Sequence, residues 1–306
     1  MNNTGKNHFT AIILAAITMG VASSSALAGG FLDADFADAT FLMNPLMIDN
    51  EYWPLNPDGG TSTPLSFTYT AETEDECVEN TLFVNSGLYG SSGEKTVTVE
   101  IEGLPTDFTA LEVLDVEWIQ EDCEAEFVES EVTLDWYAQD DVGNIWYMGE
   151  LSRSFDEEDG CHEGVFDRTT PTNTDDECYA GSWEAGVTAG EGDDAVTGTP
   201  GIVVPSNYPF GPEGEPLSNG THYFQEVAYE AEDMAKILKL STSLSVEDGM
   251  EPGEYDECRK VKEWNPNEPG ASVEHKWYCA DGAGLVLIEG IGGGPTEVET
   301  LVEVGP

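Results

Sequence analysis

The sequence is short of positive charge. It has ten lysine and arginine residues against 61 aspartate and glutamate residues, which gives a formal net charge of -51 at pH 7. Nucleic acids and anionic lipid surfaces are bound mainly through lysine and arginine. The composition therefore argues against nucleic acid as a partner and against insertion into a membrane. The composition is compatible with cations, basic proteins and carbohydrates as partners.

Residues and motifs typical of catalysis are also scarce. The chain has four histidines, and those after the N-terminal region, His162, His222 and His275, belong to no triad-like motif. It has no GxSxG motif. The sequence therefore predicts a non-enzymatic protein. The alternative is a secreted hydrolase that acts on polysaccharide through paired carboxylates, but with 61 acidic residues no pair stands out.

Long apolar runs are absent after the N-terminal region, so no membrane span of about 20 residues is predicted. The first 28 residues read as a signal peptide, with Lys6 before an apolar core from Phe9 to Val21 and small residues at Ala26 and Ala28. We expect residues 29–306 to be exported to the periplasm or the extracellular space.

Cysteine is present in an even number, and no CxxC pair or metal-site spacing occurs. Six cysteines in an exported chain predict three disulfides, for which fifteen connectivities are possible. Proximity along the chain favours the pairs Cys77–Cys123, Cys161–Cys178 and Cys258–Cys279.

Helical periodicity is rare, whereas short runs rich in Val, Ile, Thr, Tyr and Trp recur between Gly, Pro and Asp clusters. This pattern predicts an all-β protein of antiparallel meanders. The segment from Ala231 to Leu240 is compatible with a helix, but a strand is favoured. The clearest strand-like runs are 65–71, 96–102, 111–118, 131–138, 145–151, 223–228, 259–264, 285–289 and 297–304.

Two regions of the chain resemble each other. Residues 136–143 align without gaps with residues 277–284, and a glycine precedes Trp118 and Trp264 at the same distance. These matches predict an internal duplication of one β unit, with halves at about 50–155 and 200–290. The acidic stretch 156–199 would be an elaborated connection held by the Cys161–Cys178 disulfide.

Residues 135–150 predict a hairpin with its turn at 140–144. Counting back from the turn places Tyr137 opposite Tyr147 and Trp136 opposite Met148. The two tyrosines would then share one face of the sheet, and Trp136, Trp146 and Met148 would share the other.

The same block reads DWYAQDDVGNIWYMGE and resembles an uncharacterised family of secreted bacterial β-rich proteins with a DWYAQDxxGNxWYxGE pattern. The segments 181–187 and 200–205 are similar to the same family. The resemblance implies a secreted β-rich protein and implies no activity or catalytic residues. The chain departs from the pattern in its six cysteines and in Asp281-Gly282-Ala283, where Pro-Gly-Val is usual.

Carboxylate runs suggest binding of Ca²⁺ or another divalent cation, which prefers oxygen ligands. No EF-hand loop is present. The predicted metal ligands are Asp156, Glu157, Glu158 and Asp159, with Glu191, Asp193 and Asp194 in the same region; a solvated acidic loop is the alternative. The preferred prediction is a secreted, acidic, non-enzymatic binding or structural protein.

Overall fold

The computed structural model describes residues 36–60, 63–73, 76–155, 161, 165–174, 176–206, 217–229, 231–246, 253–267, 273–280, 284–291 and 298–305. The predicted signal peptide lies outside these residues. The described residues form an all-β structure, as the sequence predicts. Its helical segments are four short 3₁₀ turns at Phe36–Asp38, Leu88–Gly90, Glu177–Tyr179 and Gly192–Asp194. The described part of the chain contains no helix with the length and hydrophobicity of a membrane span.

The strands follow the predicted runs and add several that the sequence did not single out. The segment 231–240 is part of a long strand, so the strand interpretation is confirmed. The strands are β1 (Leu65–Glu72), β2 (Glu76–Val84), β3 (Glu94–Ile101), β4 (Leu104–Glu121), β5 (Val128–Gln139), β6 (Ile145–Ser154), β7 (Trp183–Glu184), β8 (Thr188–Ala189), β9 (Val196–Thr197), β10 (Thr199–Val204), β11 (His222–Ala228), β12 (Ala231–Val246), β13 (Gly253–Trp264), β14 (Val273–Cys279), β15 (Gly284–Ile291) and β16 (Val298–Gly305).

Most strands belong to one antiparallel sheet that closes on itself. Its hydrogen-bonded order runs from β10 through β11, β12, β13, β14, β15, β16, β1, β2, β4 and β5 to β6, and β6 pairs again with β10. Strands β3 and β7 pair with β4 and β6 outside this ring, and β8 pairs only with β9. Because successive side chains on a strand alternate, every strand of the ring has one face towards the enclosed interior and one towards the outside.

The two halves of the chain contribute successive meanders to the ring. The matched residues lie at corresponding positions: Trp118 and Trp264 are on β4 and β13, and Trp136 and Trp277 are on β5 and β14. These placements are compatible with a duplicated unit, and the duplication itself stays a prediction.

A second layer covers the outside of β4–β6. Phe36 and Phe41, from the start of the described chain, pack around Trp146 with ring centroids 5.2 and 6.5 Å away. Arg168, from the connection, reaches Glu112 on β4 at 3.0 Å. The apolar core of the protein is therefore between the ring and this outer layer, as well as at one end of the interior.

All three predicted disulfide pairings are present. Cys77–Cys123 joins β2 to the turn after β4, and Cys161–Cys178 lies within the connection. Cys258–Cys279 links directly opposed residues of β13 and β14. Three disulfides indicate an oxidising compartment, which agrees with the expected export.

Candidate binding site

Carboxyl groups occupy the inner face of the ring on β4, β5 and β6. Asp115 lies opposite Thr133, and Asp135 lies opposite Val113 on β4 and Glu150 on β6. Antiparallel pairing keeps opposed side chains on the same face. This wall of the interior is therefore partly apolar and partly acidic.

The facing wall, formed by β11–β14, repeats this chemistry. Glu226 on β11 lies opposite Asp233 on β12, and Glu263 on β13 lies opposite Glu274 on β14. Lys276 is two residues further along β14 and binds Glu263 at 2.8 Å and Glu274 at 3.3 Å. Burial acts to lower the pKa of Lys276, but these two carboxylates outweigh it and raise that pKa well above its usual range. The lysine is therefore a fixed positive charge among acids.

Charge interactions link groups on the two walls. Burial raises the pKa of Asp135, and the positive charge of Lys276 acts against that rise, although β5 and β14 are not neighbours in the sheet. Burial and then the negative charge of Glu226 raise the pKa of Glu150. Groups on both walls therefore lie within the range of mutual charge interaction.

The accessibility of β14 shows how solvent reaches this space. On its inner face Tyr278 is 1% exposed, whereas 24% of the Lys276 side chain and 40% of the Glu274 side chain are accessible. Exposure therefore rises along the strand from one end of the ring to the other. The polar middle of the interior is approached from the Glu274 end.

The other end of the interior is closed by the segment before β1. Trp53 packs edge-on against Tyr137 at 5.3 Å and Tyr278 at 6.1 Å between ring centroids. The Arg259 guanidinium lies 4.1 Å from the centroid of the Tyr52 ring. These aromatic contacts make this end of the interior apolar.

Tyr147 joins two of the interior carboxyl groups. Its hydroxyl lies 2.6 Å from Asp135 Oδ1 and 2.7 Å from Glu150 Oε2. A phenol has one proton to donate, so both contacts are hydrogen bonds only when one carboxyl is protonated and donates to the tyrosine oxygen. In that protonation state the Tyr147 hydroxyl bridges both carboxyl groups.

Burial raises the pKa of the interior acids. It raises the pKa of Glu131 to about 7, against hydrogen bonds from Thr133 and Ser152 that lower it. It raises the pKa of Asp135 to about 6, against the Tyr147 hydrogen bond and the Lys276 charge. Burial and neighbouring negative charges raise further pKa values in the interior: Asp233 to about 6, and Asp115, Glu150 and Glu226 well above their usual range.

Several buried polar atoms of the interior have no hydrogen-bond partner among the described residues. They include Asp115 Oδ1, the Tyr223 hydroxyl and Glu263 Oε1. Tyr223 is 1% exposed, and its inward orientation follows from its pairing with Ala235 on the Glu263 face. Unpartnered buried polar groups destabilise a fold by about 1–3 kcal/mol each. Such groups beside a charged cluster are a feature of ligand sites.

The sequence did not identify this cluster. The predicted metal ligands Asp156, Glu157, Glu158 and Asp159 lie outside the described residues. Of the nearby acids, Glu191 and Asp194 are exposed. Within the described ranges, no group of three or more His, Cys, Asp and Glu side chains is arranged to hold a metal ion. The calcium site stays a prediction.

Some of the acidic residues lie in the interior of the ring and not on its outer surface. Glu226, Glu150 and Asp135 are each at most 6% exposed and face the interior. The sequence feature that could have identified these interior acids is an acid at every second position of an apolar strand, as at Asp115 and Glu117. In a chain with so many acids this alternation looked like ordinary acidic composition.

The comparisons with known proteins gave only distant structural matches. No family model and no curated protein matches the chain. One solved structure, a protein from Bacteroides fragilis inferred to be exported and described as having a YmcC-like fold, is 10% identical, with a TM-score of 0.30; the match covers 79% of this chain and 95% of that one. Another, from Parabacteroides distasonis and inferred to be a lipoprotein, is 9% identical, with a TM-score of 0.24; the match covers 88% of this chain and all of that one.

Proposed function

We propose that this protein is an exported, non-enzymatic binding protein that holds a cationic ligand inside the closed sheet. The observation that supports this most strongly is the excess of carboxyl groups over basic groups around Lys276. Each carboxyl raises the pKa of its neighbours, because negative charges in one enclosed space repel. A cation placed among them would relieve that repulsion, and the Tyr223 hydroxyl would supply a hydrogen-bonding group.

The paired-carboxylate hydrolase is less well supported. Asp135 and Glu150 are close enough to act as a pair, since both contact one hydroxyl. However, a retaining or inverting glycosidase holds the scissile bond between its two carboxyl groups. Here Tyr147 occupies that position, and its ring is stacked on Tyr137 at 5.1 Å between centroids. The arrangement favours holding a proton or a cation over cleaving a sugar.

Calcium binding by residues 156–159 is a separate proposal that concerns a different part of the chain. The two can be distinguished by mutation. If changing Asp156 to Asn and Glu157 to Gln abolishes Ca²⁺ binding, the site is in the loop. If changing Glu226 to Gln abolishes Ca²⁺ binding, the site is in the interior.

The test is a thermal unfolding series with spermidine, Ca²⁺ and, as the salt control, NaCl at matched ionic strength. A ligand that binds only the folded protein raises the melting temperature, by the equivalent of about 2.7 kcal/mol at 100 times its dissociation constant. We expect spermidine or Ca²⁺ to raise the melting temperature beyond the salt control, and Glu226→Gln to reduce that effect.

The matched control is Glu254→Gln, which removes the same charge from an exposed position. It should leave the ligand effect unchanged. Equal melting curves with cations and matched salt, or equal responses of the two variants, would contradict interior binding.

A further inference from the structure

The outer face of β12 and β13 carries a concentration of positive charge. Four of the ten basic residues of the chain lie there, and two tryptophans accompany them. We refer to this surface as the basic patch; its members are Lys236, Lys239, Lys260, Lys262, Trp264 and Trp277.

The sheet register sets like charges against each other in this patch. Lys236 lies directly opposite Lys262, and Lys239 lies directly opposite Lys260. Like charges at opposed positions destabilise a sheet. The chain has 61 acidic residues with which such lysines could be paired. The like-charge arrangement therefore lowers the stability of the sheet, and packing does not explain it.

Within the described ranges, most of the patch lysines also have no ion-pair partner. Among the described residues, the ion pairs involve Lys95, Arg168, Lys260, His275 and Lys276. Lys236, Lys239 and Lys262 are not among them, and Lys239 is exposed. Burial lowers the pKa of His275, and the charges of Lys260 and Lys262 lower it further. The patch therefore places several positive charges close together.

One intramolecular contact indicates which anion this surface accepts. The Glu289 carboxylate at its edge receives hydrogen bonds from Lys260 Nζ at 2.8 Å and Trp277 Nε1 at 3.1 Å. Lysine ammonium groups also lie over the rings of Trp277 and Trp264, 4.3 and 4.9 Å from their centroids. An ammonium group and an indole N–H that bind a carboxylate beside an aromatic ring form an arrangement that can also bind the carboxylate of an acidic sugar.

We propose that the basic patch is a docking surface for an acidic glycan, a chain whose sugars carry carboxylates. The neighbouring strands that carry the opposed lysines lie about 5 Å apart, so the patch can contact successive charged groups of one linear chain. A thin glycan can reach the patch while the strongly negative remainder of the protein stays several ångströms away. A duplex nucleic acid, a bilayer or a second copy of this chain would bring a broad anionic surface against that remainder.

The test is isothermal titration with oligogalacturonate of defined length at about 0.15 M ionic strength, where the screening length is about 8 Å. The fully methyl-esterified oligomer of the same length is the neutral comparison. We expect binding of the charged oligomer and none of the ester. Phosphatidylglycerol vesicles and oligothymidylate serve as the other anions, and we expect weaker binding of both.

The variant for this test is Lys236→Gln combined with Lys262→Gln. Losing two surface ion pairs should weaken binding about five- to tenfold. The control, Thr96→Glu with Thr98→Glu, makes the same change in net charge on the exposed side of β3 and should change affinity less than twofold. Circular dichroism checks that both variants fold.

The salt dependence of the unmodified protein provides a second measurement that needs no variant. Raising ionic strength above about 0.15 M should weaken oligogalacturonate binding, because the contacts are ionic. Absence of binding, equal binding of the methyl ester, tighter binding of vesicles or oligothymidylate, or an unaffected lysine variant would overturn the proposal.

Discussion

The Tyr147 hydroxyl is shared between two acids of the interior. It is the group that contacts both Asp135 and Glu150, whose carboxyls would otherwise repel each other. Its ring also contacts Trp183 edge-on at 5.5 Å, and Trp183 donates its indole N–H to Glu226 at 2.7 Å. The tyrosine thus connects three acids of the site.

We predict that Tyr147→Phe destabilises the protein by about 1–3 kcal/mol at pH 8 and by less at pH 5. The hydroxyl acts to lower the pKa of Asp135, so its loss should make ionisation of that carboxyl more unfavourable. Urea unfolding at the two pH values measures the difference. The control is Tyr89→Phe, which removes a hydroxyl bonded to the exposed Glu129. An equal loss at both pH values would contradict this role of the Tyr147 hydroxyl.

The hairpin shows how far sequence reasoning reaches at residue level. Alternation correctly places Tyr137 opposite Tyr147. The next predicted pair is wrong, because Trp136 lies opposite Gly149 instead of Met148. A β-bulge between Trp136 and Tyr137 shifts the register by one residue, and such a bulge depends on packing from outside the hairpin.

At the scale of elements, this bulge is where β6 and β7 come together. Gly149 has φ +131°, and a Cβ atom there would lie 2.5 Å from the Trp183 carbonyl oxygen and 2.8 Å from Glu184 Cα. Because both contacts are to backbone, the neighbouring strand would have to move. Glycine therefore permits the close approach of β7.

We predict that Gly149→Ala destabilises the protein by more than about 2 kcal/mol, measured by urea unfolding. Gly60→Ala is the control, because a Cβ atom there would have no neighbour within 4 Å, and we expect a change below about 0.5 kcal/mol. Similar small effects of both substitutions would show that β7 does not pack as described.

Strand prediction succeeded where β-branched and aromatic residues form unbroken runs, as in 65–71 and 145–151. It did not single out β2, which includes Glu76–Glu79. Charged and polar residues in this strand obscure both the alternation and any apolar run.

At the scale of the whole molecule, the raised pKa values predict an unusual dependence of stability on pH. Glu131, Asp135 and Asp233 have folded-state pKa values of about 7, 6 and 6, above their ordinary values. The folded protein therefore binds more protons than the unfolded chain between about pH 4 and 7, so its stability should fall as pH rises through that interval.

Surface repulsion would give the same trend, but salt separates the two causes. High ionic strength screens exposed charges and acts far less on enclosed ones. We predict that urea unfolding at 1 M NaCl still shows lower stability at pH 8 than at pH 5. A stability independent of pH under that condition would assign the effect to the surface.

Closure of the sheet is the property that the sequence could not reveal. The meanders and disulfides follow from local patterns, but the pairing of β6 with β10 and of β1 with β16 joins segments far apart in the chain. Only this closure brings Asp135 towards Glu226 and Lys276. An acid that looks solvated on an isolated meander is thereby enclosed.

Spermidine titration at pH 6 in two buffers of different ionisation enthalpy tests the interior site most directly. A cation entering among partly protonated carboxyls must displace protons, because it stabilises their charged forms. We predict that the apparent binding enthalpy differs between the buffers and that Glu226→Gln reduces the number of protons released. Binding with no proton release, or with the same release in the variant, would contradict it.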